Sequence, residues 1–156
     1  MSARTVLVVD DEKFVLDSLV ALLEAEGYRA LAAKSGVEAL SLLARERVDA
    51  IATDLQMPSG DGLRLLAEAR VADPDLPVVI LTGVGTVKDA VAAMKAGAAD
   101  FIQKPIEPAQ FVRLIERAIE RRDLVSEVRQ LRHAVRDLRG PSEMVGESEE
   151  IGRAHV

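Results

Sequence analysis

TVLVVDDEKFVLDSLVALLEAEGYRALAA, Thr5–Ala33, carries the pattern that decides the fold. Thr5 to Val9 is a short apolar run that stops at Asp10 and Asp11. Val15, Leu16, Leu19, Val20, Leu22 and Leu23 then recur at helical spacing, and beyond Gly27 a second short run spans Tyr28 to Ala33. Short apolar runs read as strands, three-and-four spacing reads as an amphipathic helix, and glycine marks the stop.

The same alternation continues along the chain. Val37, Ala39, Leu40, Leu42 and Leu43 mark a second helix, Ala50 to Thr53 a third strand running into Asp54, and a Pro/Gly loop spans Gln56 to Gly62. Leu63, Leu65, Leu66 and Ala69 form a third helical stripe that ends at Asp73-Pro74, and Pro77 to Leu81 is a fourth strand. After a loop from Gly83 to Gly85, Val87, Ala90, Val91 and Met94 give a fourth helix; Gly97 closes it before a short strand at Phe101-Ile102. Strands apolar on both faces and separated by helices require a parallel sheet covered on both sides by right-handed crossovers. The expected fold is α/β, a doubly wound five-stranded parallel sheet with five helices, flavodoxin-like, for which 2-1-3-4-5 is the usual strand order.

Size and composition agree with one such domain and an appendage. The chain has 156 residues, 49% of them hydrophobic but only 3% aromatic, which suits aliphatic helices over a buried sheet. The absence of cysteine excludes thiol nucleophiles, thiolate metal sites and disulfides. Met1 to Val9 lacks the basic-then-apolar order of a signal peptide, and no apolar run approaches membrane-spanning length, so a cytoplasmic protein is expected. A net charge of -6 argues against broad adhesion of this segment to nucleic acid or anionic lipid.

Ligands of such sheets bind beyond the carboxyl ends of the strands. The residues there are Asp10 and Asp11, Asp54, Thr82, and Lys104 followed by Pro105. Taken singly they have ordinary readings: Asp11 can cap the first helix, and Asp54 can hold its loop through backbone hydrogen bonds. Taken together, three carboxylates in one cleft repel one another unless a cation lies among them, and hard oxygen donors suit Mg2+. An ionised carboxylate is also a nucleophile toward phosphorus that needs no general base, while a metal, an ammonium and a hydroxyl stabilise the transferring oxygens. Asp54, Lys104 and Thr82 fit those roles.

Asp10-Asp11, Thr53-Asp54-Leu55-Gln56-Met57-Pro58, Thr82-Gly83 and Lys104-Pro105 resemble the receiver domains of two-component response regulators over roughly the first 120 residues. The resemblance implies that Asp54 is the phosphoacceptor and that Asp10, Asp11, Asp54 and the backbone carbonyl of Gln56 hold magnesium. It implies that Thr82 and Lys104 bind the phosphoryl oxygens, that the Lys104-Pro105 bond is cis, and that Phe101 is a switch aromatic turning inward with Thr82. The donor would be a phosphohistidine on a sensor histidine kinase. The domain would promote only its own phosphorylation and dephosphorylation, so it would not be an enzyme toward other substrates. Phe101 lacks a hydroxyl, so it can signal only by packing or unpacking.

The fifth helical pattern starts after Pro108 and runs to Arg139, about twice the expected length. Leu124, Val128, Leu131, Val135 and Leu138 follow a four-three-four-three spacing, which suggests a homodimeric coiled-coil seam. A solvated amphipathic helix, or a stripe packing on another domain, is the alternative. Gly140-Pro141-Ser142 is expected to break the helix. The expected organisation is therefore a receiver over 1–122, a helical linker over 123–139 and a polar tail over 140–156. Met144-Val145-Gly146-Glu147-Ser148 resembles the opening of the AAA+ ATPase domain of sigma-54-dependent transcription activators of the nitrogen-regulator and dicarboxylate-transport type. In such activators other domains bind DNA and sigma-54 RNA polymerase. No G-x-x-x-x-G-K-[ST] loop is present, so this segment is not expected to hydrolyse ATP.

Two other classes compete. A magnesium-dependent phosphatase of the haloacid-dehalogenase type also forms a strand-end aspartyl phosphate, but it needs an acid two residues later, where this chain has Gln56. A flavodoxin or dinucleotide module has only Gly83-Val84-Gly85 in its favour, after the fourth strand rather than the first.

Overall fold

The structure is a computed structural model that describes residues 3–57, 61–83 and 87–146, with the backbone alone at 61 and 139–146. The elements are β1 (Thr5–Val9), α1 (Lys13–Ala25), β2 (Arg29–Ala33), α2 (Gly36–Arg45), β3 (Ala50–Asp54), α3 (Asp61–Ala72), β4 (Val78–Thr82), α4 (Val87–Lys95), β5 (Asp100–Gln103) and α5 (Pro108–Gly146). All strand pairs are parallel, in the expected order 2-1-3-4-5.

Consecutive side chains of a strand point to opposite faces, and here each face feeds its own core. Val6, Val8, Ala50, Ala52, Val79 and Leu81 meet Leu16, Leu19 and Leu23 of α1 and Phe111 and Ile115 of α5. Leu7, Val9, Ile51, Val78 and Ile80 meet Ala39 of α2, Leu65, Leu66 and Ala69 of α3, and Ala93 of α4. Gly27 and Gly97, which end α1 and α4, adopt φ of 93° and 108°, the left-handed region that L side chains rarely enter.

The strand ends shift by a residue, as at β2, β4 and β5, and two helix boundaries differ from the sequence reading for a physical reason. The loop after β3 was expected to reach Gly62, but α3 already begins at Asp61. Position 62 needs glycine because α3 starts hard against the end of β3: a Cβ there would lie 2.6 Å from Leu55 Cα and 2.8 Å from the Asp54 carbonyl oxygen. Gly62→Ala is expected to destabilise the fold. A backbone clash of that kind costs about 1–3 kcal/mol, more than the roughly 0.5–1 kcal/mol that alanine gains over glycine in a helix. Chemical denaturation checks this; an unchanged or raised midpoint contradicts it.

The second correction concerns Gly140-Pro141-Ser142, which does not end the last helix: α5 continues to Gly146. Proline withholds one N–H and crowds the carbonyl four residues earlier, but its fixed φ is itself helical, so residues on both sides can remain in the helix. The chain divides into two compact units, residues 1–122 and 123–156. In the first, the α5 residues Phe111, Leu114, Ile115, Ala118 and Ile119 are buried, and Arg122 pairs with Asp73 at 3.0 Å. In the second, Leu124, Val128, Leu131, Val135 and Leu138 are all exposed. Among the described residues no helix is long and apolar enough to cross a membrane. Pro58, Val84 to Thr86 and Glu147 to Val156 lie outside the described residues.

Candidate functional site

Parallel pairing brings the ends of β1, β3 and β4 to one edge of the sheet: Val9 is level with Thr53, and Asp54 with Leu81. The next residues along β1 and β4, Asp10 and Thr82, therefore stand beside Asp54. Asp10 and Asp54 are 0% and 3% exposed, whereas Asp11 faces solvent, and carboxylate oxygens of all three lie within 4.8 Å of one another.

Asp54 keeps both readings that the sequence allowed. Its Oδ1 accepts the Gln56 backbone N–H at 2.9 Å, which pins the loop, while Oδ2 stands 3.3 Å from Lys104 Nζ. Asp10 Oδ1 accepts the Glu12 N–H at 2.9 Å just before α1. Glu12, not Asp11, is the residue flanking α1, and its side chain makes no capping bond.

Lys104 follows β5 across a cis bond to Pro105 and reaches back to the acids. Its ammonium lies 2.9 Å from Asp10, 3.3 Å from Asp54 and 3.3 Å from Glu12. Burial alone would lower its pKa, but the Asp10 and Asp54 carboxylates outweigh that and hold it well above the ordinary lysine value. It stays protonated at any physiological pH.

Burial raises the Asp10 carboxyl above its ordinary value; the Lys104 ammonium and the Glu12 N–H oppose the rise and the charge of Asp54 adds to it. Asp10 Oδ2 is buried and makes no hydrogen bond, although the ammonium stands 2.9 Å away as a charge partner. A buried carboxylate oxygen with a free lone pair, within a set of oxygen donors that outnumber the cations beside them among the described residues, fits a hard divalent cation such as magnesium. Two opposite pH trends are expected. Magnesium affinity should fall on acidification from a higher pH than an ordinary carboxylate would give, because the Asp10 proton competes. Without metal, the folded chain holds that proton more tightly than the unfolded one, so Asp10's contribution to stability should decline as pH rises through its raised pKa. Calorimetric magnesium titrations and metal-free melts across pH 4–7 check both; affinity flat down to the ordinary carboxylate range contradicts the first.

Thr82 is buried, and its hydroxyl donates to the Ile102 carbonyl at 3.4 Å. Phe101 is 45% exposed, so it is not a core phenylalanine. With Thr82, Val87, Ala90, Val91 and Met94 it lines a cleft of about 390 Å³ between α4 and β5. Two participants were not picked out from the sequence. Glu12 pairs with Lys104, and its place beside Asp10-Asp11 was the available signal; Asp89 accepts a 2.7 Å hydrogen bond from Gln56 Nε2, and nothing in the linear pattern pointed to it.

Residues 6–116 match the family model described as the response regulator receiver domain. The transcriptional regulatory protein GlrR of Escherichia coli is 41% identical over 114 residues, which is 73% of this chain and 26% of that protein. The nitrogen assimilation regulatory protein NtrX of Azorhizobium caulinodans is 39% identical over 151 residues, 96% of this chain and 32% of that protein. The chain thus spans between a quarter and a third of the length of these curated relatives. Among solved structures, a response regulator receiver domain protein from Clostridium thermocellum superposes with a TM-score of 0.75 at 35% identity, covering 78% of this chain and 98% of that one. NtrX from Brucella abortus gives 0.80 at 35% identity, covering 83% of this chain and 30% of that one.

Proposed function

Because the chain belongs to the family of response regulator receiver domains, we propose that it is a phosphorylation-dependent switch whose acceptor is Asp54. The observation that carries this is the meeting of Asp10, Asp11 and Asp54 with the ammonium of Lys104 at the strand ends. The donor is a phosphohistidine of a sensor histidine kinase. Its N–P bond breaks as an Asp54 carboxylate oxygen bonds to phosphorus, and the released imidazole takes up a proton from solvent.

Asp10, Asp11, Asp54 and the Gln56 carbonyl would hold magnesium, which supplies positive charge against the transferring oxygens. The Gln56 N–H fixes the orientation of the acceptor carboxylate, and burial of Asp54 limits access of water. Lys104 exchanges part of its contact with the acids for a phosphoryl oxygen. The Thr82 hydroxyl leaves the Ile102 carbonyl to bind another, opening room for Phe101 to turn into the cleft beside α4. The chain acts once on itself and is not a turnover catalyst.

The output is a sigma-54-dependent transcription activator. The long match to NtrX supports this, since it runs through the linker and into the tail. Residues 1–122 form the receiver and 123–139 the linker, whose helix runs on to Gly146, and 140–156 hold the start of an ATPase domain. The exposed stripe of Leu124, Val128, Leu131, Val135 and Leu138 is the seam for a second copy. The regulator works in the cytoplasm, with DNA and sigma-54 RNA polymerase contacted by further domains.

The test is to treat the chain with a small acyl phosphate and magnesium, then read intact mass and sedimentation. One added phosphoryl group per chain, lost with time, and a change in the fraction of dimer are expected. A chain that takes up no phosphoryl group would sink the assignment.

A further inference from the structure

Gln56 is fixed at two points. Its backbone N–H donates to Asp54 Oδ1 at 2.9 Å, and its side-chain Nε2 donates to Asp89 Oδ2 at 2.7 Å. Asp89 lies in the first turn of α4, 33 residues further along the chain. A path of two hydrogen bonds therefore runs from the acceptor carboxylate to α4, distinct from the Thr82–Ile102 bond, which links β4 to β5. A hydrogen bond to a carboxylate is charge-assisted, and at 2.7 Å this one is short.

We propose that Asp89 is a positioning residue: through the Gln56 carboxamide it ties the first turn of α4 to the acceptor loop and holds the helix in its unphosphorylated arrangement. This rests on Asp54 being the acceptor. A phosphoryl group on Asp54 brings strong acceptor oxygens and negative charge to the neighbourhood of the same carboxamide. The carboxamide then has two acceptors to choose between, and the one at the reacting centre carries the greater charge. Transfer of its N–H from Asp89 to the phosphoryl group releases α4. Asp89 is thus a restraint on the switch, and removing it shifts the unmodified protein toward the phosphorylated arrangement.

The test uses the 156-residue chain with magnesium and beryllium fluoride as the phosphoryl mimic, read by amide NMR shifts of α4. In Asp89→Ala the α4 amides should move part of the way to their mimic-bound positions before any mimic is added. Apparent affinity for the mimic should rise by about threefold to tenfold, the range for one hydrogen bond. Asp89→Asn, which keeps a side-chain oxygen acceptor but loses its charge, should fall between wild type and Asp89→Ala. In a Gln56→Ala background, Asp89→Ala should cause no further change. Wild-type α4 shifts and affinity in Asp89→Ala overturn the proposal, as does an effect that persists without Gln56. Failure of wild type to bind the mimic, or equal binding by Asp54→Asn, instead overturns the acceptor assignment and takes this proposal with it.

Discussion

Asp54→Asn is expected to reduce labelling by a small acyl phosphate to background, a loss on the order of a thousandfold or more, as when a single nucleophile is removed. The substitution is nearly isosteric, so the fold remains, yet the amide oxygen lacks the negative charge that makes a carboxylate oxygen a nucleophile toward phosphorus. The local geometry also fixes how the asparagine sits. The Gln56 N–H needs an acceptor at the Oδ1 position, which leaves the amide NH2 at the Oδ2 position, 3.3 Å from Lys104 Nζ, donor facing donor. The ammonium then moves closer to Asp10, with which it already pairs at 2.9 Å. Magnesium affinity should weaken as one carboxylate is lost, although Asp10 and Asp11 remain. Intact-mass measurement with and without magnesium reads the outcome. Label retained in the variant at the wild-type rate would place the acceptor elsewhere, and peptide mapping would identify it.

Phe111→Ala is expected to give the largest loss of stability. The ring is wholly buried in the first turns of α5 and is the largest of the fully buried side chains. It belongs to the cluster formed by Val6, Val8, Leu16, Leu19 and Leu23, and so ties α5 to both α1 and the sheet. Truncating a buried phenylalanine costs about 3–5 kcal/mol, because the transfer energy of the ring is lost and the cavity collapses only in part. That is a large share of a typical domain stability of roughly 5–15 kcal/mol. A fall in melting temperature of about 10–20 °C should follow. Phe14→Ala, at an 83% exposed position on α1, supplies the contrast and should change it by only a degree or two. Similar melts for the two variants would contradict the packing described above.

The contrast among these rings also marks what was legible in the sequence. Phe111, Leu114, Ile115, Ala118 and Ile119 recur with helical period, and all are buried. Phe14 precedes the stripe of α1 that begins at Val15, and no local rule says whether such a flanking ring is covered. The parallel sheet was readable because uninterrupted apolar strands separated by helices leave few arrangements, whereas its order rested only on 2-1-3-4-5 being the usual one for such a fold. The strand-end residues were readable because a parallel sheet gathers them at one edge. Lys104 with Glu12 and Gln56 with Asp89 were not, since each pairing depends on how loops fold over that edge. Gly62 and Pro141 misled for one reason: both were read as breakers from residue type. Glycine is required at Gly62 by the approach of α3 to Leu55, and Pro141 lies within a helix that continues past it.

The supply of each strand's alternate residues to two separate cores bears on how such a chain can vary through descent. A single residue inserted within β3 would exchange Ile51 with its neighbours across the sheet, invert the assignment of side chains to both cores and displace Asp54 together. Strand length is in effect a reading frame, kept by packing rather than by the genetic code. Length changes that survive should therefore collect in the segments between elements, while partner choice and signal lifetime drift through substitutions around an acceptor whose address stays fixed.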